Sequence, residues 1–136
     1  MLARRLVVFL ITLLAAAEVP AALPEPFTAW YTLHTRGLTI GTMERRLEVG
    51  SGGQYRYRSE SRATGLVALF RDDRILEESR CMLENHQIQP LEYSYSYRGS
   101  KKSRIIKMVF DWQRGTITDQ DGGNTWYIPI VPGVLD

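Results

Sequence analysis

The sequence predicts an all-β fold: an antiparallel meander forming a curved sheet or incomplete barrel, with a short apolar turn or helix near residues 64–70. Three observations carry this expectation. Nearly every segment after Phe27 alternates polar and apolar residues with period two. These segments are rich in aromatic residues, Thr, Ile and Val, which suit a pleated, half-buried surface. Short Gly- and Asn-containing pieces separate them, and short links between long strands require antiparallel neighbours.

The first element is not part of that fold. Arg4 and Arg5 precede an apolar core from Leu6 to Leu14 and the small residues Ala15-Ala16-Ala17, the three parts of a secretory signal. Residues 1–17 are therefore expected to be a signal peptide, with cleavage after Ala17 or as late as Ala22. The apolar core is shorter than the roughly 20 residues of a spanning helix, so no stable transmembrane anchor is expected after cleavage. No cysteine lies near that boundary, which argues against a lipid-anchored variant. The expected location is the periplasm, reached by secretion across the inner membrane. Residues 18–27 contain Pro20, Pro24 and Pro26, which disfavour both helix and central strand, and form a spacer.

Residues 28–136 are expected to make one β domain. The strands are Thr28 to Thr35, Leu38 to Val49, Gln54 to Arg62, Asp73 to Glu84, Gln87 to Tyr97, Ser103 to Trp112, Gly115 to Asp119 and Thr125 to Ile128. Their links carry turn chemistry: Arg36-Gly37, Gly50-Ser51-Gly52-Gly53, Asn85-His86, Arg98-Gly99-Ser100, Gln113-Arg114-Gly115 and Asp121-Gly122-Gly123-Asn124. Alternation also assigns faces. Tyr55 and Tyr57, then Leu91, Tyr93, Tyr95 and Tyr97, then Ile106, Met108, Phe110 and Trp112, form an aromatic and apolar face. The opposite face carries charge, with Glu44, Glu60 and Glu78 expected to meet Arg45, Arg58 and Arg80 across strands.

The stretch SRATGLVALFRDDR interrupts this pattern with an unbroken apolar run from Gly65 to Phe70. A twisted sheet with one apolar face has to be covered or curl on itself. The run is expected to lie across the mouth or concave face as a turn or short helix, with Asp72-Asp73 returning the chain to solvent. A simple hydrophobic corner is the alternative.

Composition removes several function classes. Cys81 is the only cysteine, so neither an internal disulfide nor a thiolate cluster can form. A net charge of +2 with interleaved signs is no nucleic-acid footprint, and no nucleic-acid partner is expected. His34 and His86 belong to no metal-ligand or nucleophile motif. Glu77 and Glu78, adjacent on a strand, face opposite sides and cannot act as a catalytic pair. No enzyme activity, catalytic residue, cofactor or metal is expected.

Several blocks together resemble a known family. They are AWYTLHTRGLTIGTMERRLE, YRYRSESRATGLVALF, IQPLEYSYSYR, FDWQRGTI and PIVPGVLD, which follow the signal segment in this order. They are similar to the exported bacterial proteins of domain of unknown function 3108. The resemblance implies a periplasmic, all-β protein and carries over no reaction, cofactor or catalytic residue. In that family the block resembling PGVLD is followed by a further portion, so the domain is expected to lack its C-terminal part and to leave unpaired edges.

These readings lead to a non-catalytic periplasmic binding or envelope-maintenance module that holds an apolar or amphiphilic ligand such as a lipid. The expected cavity wall is Leu66, Leu69, Phe70, Tyr93, Tyr95 and Trp112. Lys101, Lys102 and Arg104 are the expected contacts to an anionic headgroup. The alternative is a scaffold that recruits an envelope protein by strand addition at an open edge.

Overall fold

The computed structural model describes residues 24–84 and 87–131. The expected signal peptide, most of the expected spacer, the Asn85-His86 link and the PGVLD block lie outside these residues. Eight strands follow in chain order: β1 (Phe27–Thr35), β2 (Leu38–Val49), β3 (Gln54–Ala63), β4 (Arg74–Glu84), β5 (Gln87–Arg98), β6 (Ser103–Asp111), β7 (Thr116–Asp121) and β8 (Asn124–Pro129). Each pairs antiparallel with its sequence neighbour, giving one sheet of order β1 to β8 whose edges are β1 and β8. The meander is thus present and the barrel is not closed. Every strand falls where alternation placed it, with ends moved by a residue or two.

The links explain the sharp returns. Arg36 and Gly37 have φ of 47° and 80°, and Gly122 and Gly123 have 57° and 91°. Two consecutive positive φ values match the right-handed twist of the flanking strands, so these two-residue turns set the hairpin register.

Register decides which residues share a face. One row runs straight across all eight strands as Phe27, Leu47, Tyr57, Ser79, Tyr93, Met108, Asp119 and Trp126. Two irregularities interrupt the ladder, one between Leu33 and His34 and one between Arg80 and Cys81. At the second, Cys81 faces Pro90 and Arg80 faces Glu92, which leaves Leu91 as the unpaired residue. The cause is Pro90, which has no N–H to give the ladder and is tolerated inside a sheet only beside a bulge or at an edge. Leu91 therefore drops out of the expected Tyr93, Tyr95, Tyr97 series.

Burial is shallow because the sheet has no second layer among the described residues. Leu47 on β2 and Ile117 on β7 are the buried hydrophobic residues, with 9% and 6% of their surface exposed, and Ser59 on β3 is a buried polar one. The apolar run forms a five-residue 3-10 turn, Gly65–Leu69. It docks at one end of the sheet: the Thr64 N–H donates to the Ile40 carbonyl at 3.1 Å, and Val67 lies over a hollow lined by Leu33, Ile40, Ala63 and Ile75. Leu66, Leu69 and Phe70 point into solvent. The turn is present as expected, and most of its apolar surface does not lie against the sheet.

Candidate functional site

The aromatic face is the candidate site. Beside the row through Tyr57, Tyr93 and Met108 run a row of Ala29, Arg45, Ser59, Glu77, Tyr95, Ile106 and Asp121, and a row of Tyr31, Met43, Ser61, Ile75, Tyr97 and Arg104. Directly opposed residues lie on the same side of a sheet and touch, so these rows build one continuous surface. Phe110, Ile117 and Ile128 extend it toward β8.

Polar groups punctuate that surface. The Tyr93 hydroxyl donates to Glu77 Oε1 at 3.0 Å, and the Tyr97 hydroxyl to Asp73 Oδ1 at 3.1 Å. Burial, then the hydrogen bond to Glu77, push the Tyr93 hydroxyl up to about 12. Both effects disfavour a phenolate, so Tyr93 is a fixed donor across the physiological range. Arg104 grips Asp121, its Nε lying 3.1 Å from Oδ1, and that hydrogen bond holds the Asp121 carboxyl below its usual value. One carboxylate oxygen of Asp119, in the row of Tyr93 and Met108, is sealed from water without a hydrogen-bond partner among the described residues. A buried acceptor in that state is a demand for a donor.

The opposite face is a lattice of charge, arranged differently from the expected cross-strand pairs. Several like charges sit directly opposite each other, since Glu44 faces Glu60, Arg46 faces Arg58 and Arg56 faces Arg80, while Arg58 faces Glu78 as expected. Most compensation comes from neighbours two residues along the strand or diagonal to it. Glu60 binds Arg58 and Arg62 on its own strand and Arg74 on the next, and Arg56 reaches Glu78 diagonally. Arg80 meets Glu92 directly across β4 and β5, and that hydrogen bond holds the Glu92 carboxyl below its usual value. Arg45 is not part of this lattice: it alternates with Met43 and Leu47, so it faces the aromatic side, with its guanidinium 5.5 Å from the Tyr31 ring centre.

The expected site residues fall in three places. Tyr93 and Tyr95 are half-buried on the aromatic face. Trp112 follows β6 at one end of the sheet, its indole N–H donating to the Pro90 carbonyl at 2.7 Å. Leu66, Leu69 and Phe70 are at the other end, as are Lys101 and Lys102 in the exposed β5–β6 turn. From Pro90 to Arg98, β5 covers about 27 Å at ~3.4 Å per residue, so the loop trio and Trp112 do not line one hollow. Arg104 faces the aromatic side and is engaged by Asp121. Sequence reasoning missed Glu77, Asp119 and Asp121 as polar members of this face. Parity held the signal, since Asp119 alternates with the buried Ile117 and Glu77 with Ile75.

The remaining reactive groups have local roles. The Cys81 thiol is half-buried 3.5 Å from the Ser79 hydroxyl, and His34 Nδ1 lies 3.3 Å from the Thr39 hydroxyl. Among the described residues no cluster of His, Cys, Asp and Glu is arranged to hold a metal ion, and no helix is long and apolar enough to cross a membrane.

No curated protein and no solved structure gives a significant match to the chain. A family model does match, over residues 30–136, and its description is Protein of unknown function (DUF3108). That span runs from Trp30 in β1 past the end of β8, so it takes in nearly the whole sheet and the block order noted above. The chain belongs to the DUF3108 family.

Proposed function

We propose that this chain is a non-catalytic periplasmic binding module of the cell envelope that holds an apolar or amphiphilic molecule, a lipid being the favoured class, on the aromatic face of its sheet. The observation that carries this reading is the row of Tyr57, Tyr93, Met108 and Trp126, half-buried to exposed with no second layer over it among the described residues. An apolar face of this extent without a second layer is unfavourable in water, and a ligand that covers it relieves that cost. The Tyr93 hydroxyl oxygen, as an acceptor, and the Arg104–Asp121 pair offer polar contacts for a head group, which favours an amphiphile over a pure hydrocarbon. No cofactor enters the reading.

Native mass spectrometry of the exported chain, followed by organic extraction, tests it. The expected result is a monomer with extra mass that extracts as lipid, and loss of that mass in Met108→Asp, which places a charge in the row of Tyr57 and Tyr93. Protein without extractable mass, or mass unchanged by Met108→Asp, overturns the reading.

A second reading is recruitment of an envelope protein by strand addition at β8. Its support is that all six residues of β8 are exposed, with Tyr127 at 75%, on an unpaired edge. A photocrosslinker at position 127 should then capture one defined partner, and Ile128→Pro should abolish the crosslink.

A further inference from the structure

Both described ends of the chain, Pro24 before β1 and Val131 after β8, leave from the same end of the sheet. Among the described residues the opposite end carries only links: Arg36-Gly37, residues 64–73, Gly99 to Lys102, and Gly122-Gly123. Strand order follows chain order, so these links lie side by side in that sequence.

The second link displays Leu66, Leu69 and Phe70 with 66%, 75% and 82% of their surface exposed. It is held in place from behind. Besides the Thr64–Ile40 bond, the Arg71 N–H donates to the Val67 carbonyl at 2.9 Å, and Asp73 is gripped by Arg71 and by the Tyr97 hydroxyl. Three large apolar side chains are thus presented by a fastened turn. Basic turns flank it on both sides, Arg36 on one and Lys101 with Lys102 on the other. The acids Asp73 and Asp121 at this end are engaged by Arg71 and Arg104, and among the described residues Asp72 is the one acid there outside an ion pair. Arg36, Lys101 and Lys102 make no ion pair among the described residues.

We infer that this end of the sheet docks on an anionic lipid bilayer, with Leu66, Leu69 and Phe70 entering the interface and Arg36, Lys101 and Lys102 meeting phosphate-bearing headgroups. Shape favours a bilayer over a protein. A stable protein interface takes about 800 Å² from each partner, more than one protruding 3-10 turn offers. A bilayer accepts a convex apolar tip without a matching pocket, and its anionic surface attracts the flanking cations. The two basic turns stand about 19 Å apart, four strand spacings of ~4.8 Å, so both reach headgroups while the tip between them is inserted. The inference uses the end of the sheet and not its aromatic face, so it stands or falls separately from ligand binding there.

The test places an environment-sensitive nitrobenzoxadiazole probe by Leu69→Cys, on the full exported chain carrying Cys81→Ser, with Ser51→Cys at the opposite end as the comparison. Mixed phosphatidylglycerol and phosphatidylcholine vesicles should blue-shift the probe at 69, and brominated acyl chains should quench it, while the probe at 51 reports water. Replacing Lys101 and Lys102 by Ala should weaken partitioning about 25-fold, from about fivefold per cation. Phe70→Ser should weaken it about tenfold or more. All three positions are exposed, so the fold is expected to persist, and intrinsic Trp emission checks it. A probe at 69 that stays in water on every vesicle overturns the inference and leaves the trio for a protein partner. Equal insertion at 51, or partitioning unchanged by the lysine replacements, overturns it as well.

Discussion

Glu60 is the side chain on which the charged face turns, and Glu60→Gln tests that account. Its two oxygens serve three guanidinium groups: Oε2 lies 3.1 Å from Arg58, and Oε1 binds Arg62 and, at 2.9 Å, Arg74. Arg62 and Arg74 stand directly opposite each other across β3 and β4, so only this carboxylate separates like charges. The Glu60 side chain is 15% exposed and its partners are 42–59% exposed. Exposed pairs contribute about 0.2–1 kcal/mol each, so three of them, discounted for screening, amount to about 1.5 kcal/mol. The expected result is a loss of that size in urea unfolding followed by Trp fluorescence at low ionic strength, shrinking in concentrated salt. Glu48→Gln is the comparison, because its contact to Arg46 is 3.8 Å between two half-exposed groups and should be worth less than about 0.5 kcal/mol. Burial pushes the Glu60 carboxyl up, but hydrogen bonds from Arg62 and Arg58 and the charges of Arg62 and Arg74 outweigh it and hold it below 4.5. A depressed carboxylate contributes stability above its unfolded value that is lost as pH falls through the folded one. The gap between wild type and Glu60→Gln should therefore close below about pH 4.5. Equal stabilities of the two glutamine variants, or a gap that widens on acidification, would refute the account.

Three further outcomes follow from the same geometry. Absorbance titration at 295 nm should find one tyrosine ionising near 12, absent in Tyr93→Phe; the sign is that of a raised group, so its stabilisation is present below about pH 10 and is lost as pH rises through 12. An identical titration curve for the variant contradicts it. Gly41→Ala would set a Cβ 2.8 Å from the Arg62 carbonyl oxygen, forcing β2 and β3 apart, and should cost about 1–3 kcal/mol; an unchanged urea midpoint counts against the close approach. Trp112→Phe removes the donor to the Pro90 carbonyl beside the bulge and should cost about 1 kcal/mol, with loss of the red-edge Trp emission change on unfolding; stability equal to wild type excludes that bond.

Much of the site was legible in advance for one reason: alternation with period two assigns faces without knowledge of the partner strand. Tyr55, Tyr57, Tyr93 and Tyr95 were placed on one side in this way. Parity fails where the ladder slips. Pro90 cannot donate to it, the bulge follows, and Leu91 loses its place in the series. Charge pairing was misjudged for a different reason. Which residues stand directly opposite depends on register, and register put Glu44 against Glu60 and Arg46 against Arg58, so compensation had to come along the strand and diagonally.

The strand ladder, the turns, the two faces and the family resemblance were legible from residue order, because each rests on short-range stereochemistry or on the order of blocks along the chain. Long-range packing, by contrast, leaves the sheet open at β1 and β8 and makes Leu66, Leu69 and Phe70 project from one end instead of covering the face. Those outcomes depend on how far eight strands wind and on where one 3-10 turn is fastened. Both are sums of small twists and long-range hydrogen bonds, such as Thr64 to Ile40, that no local pattern encodes.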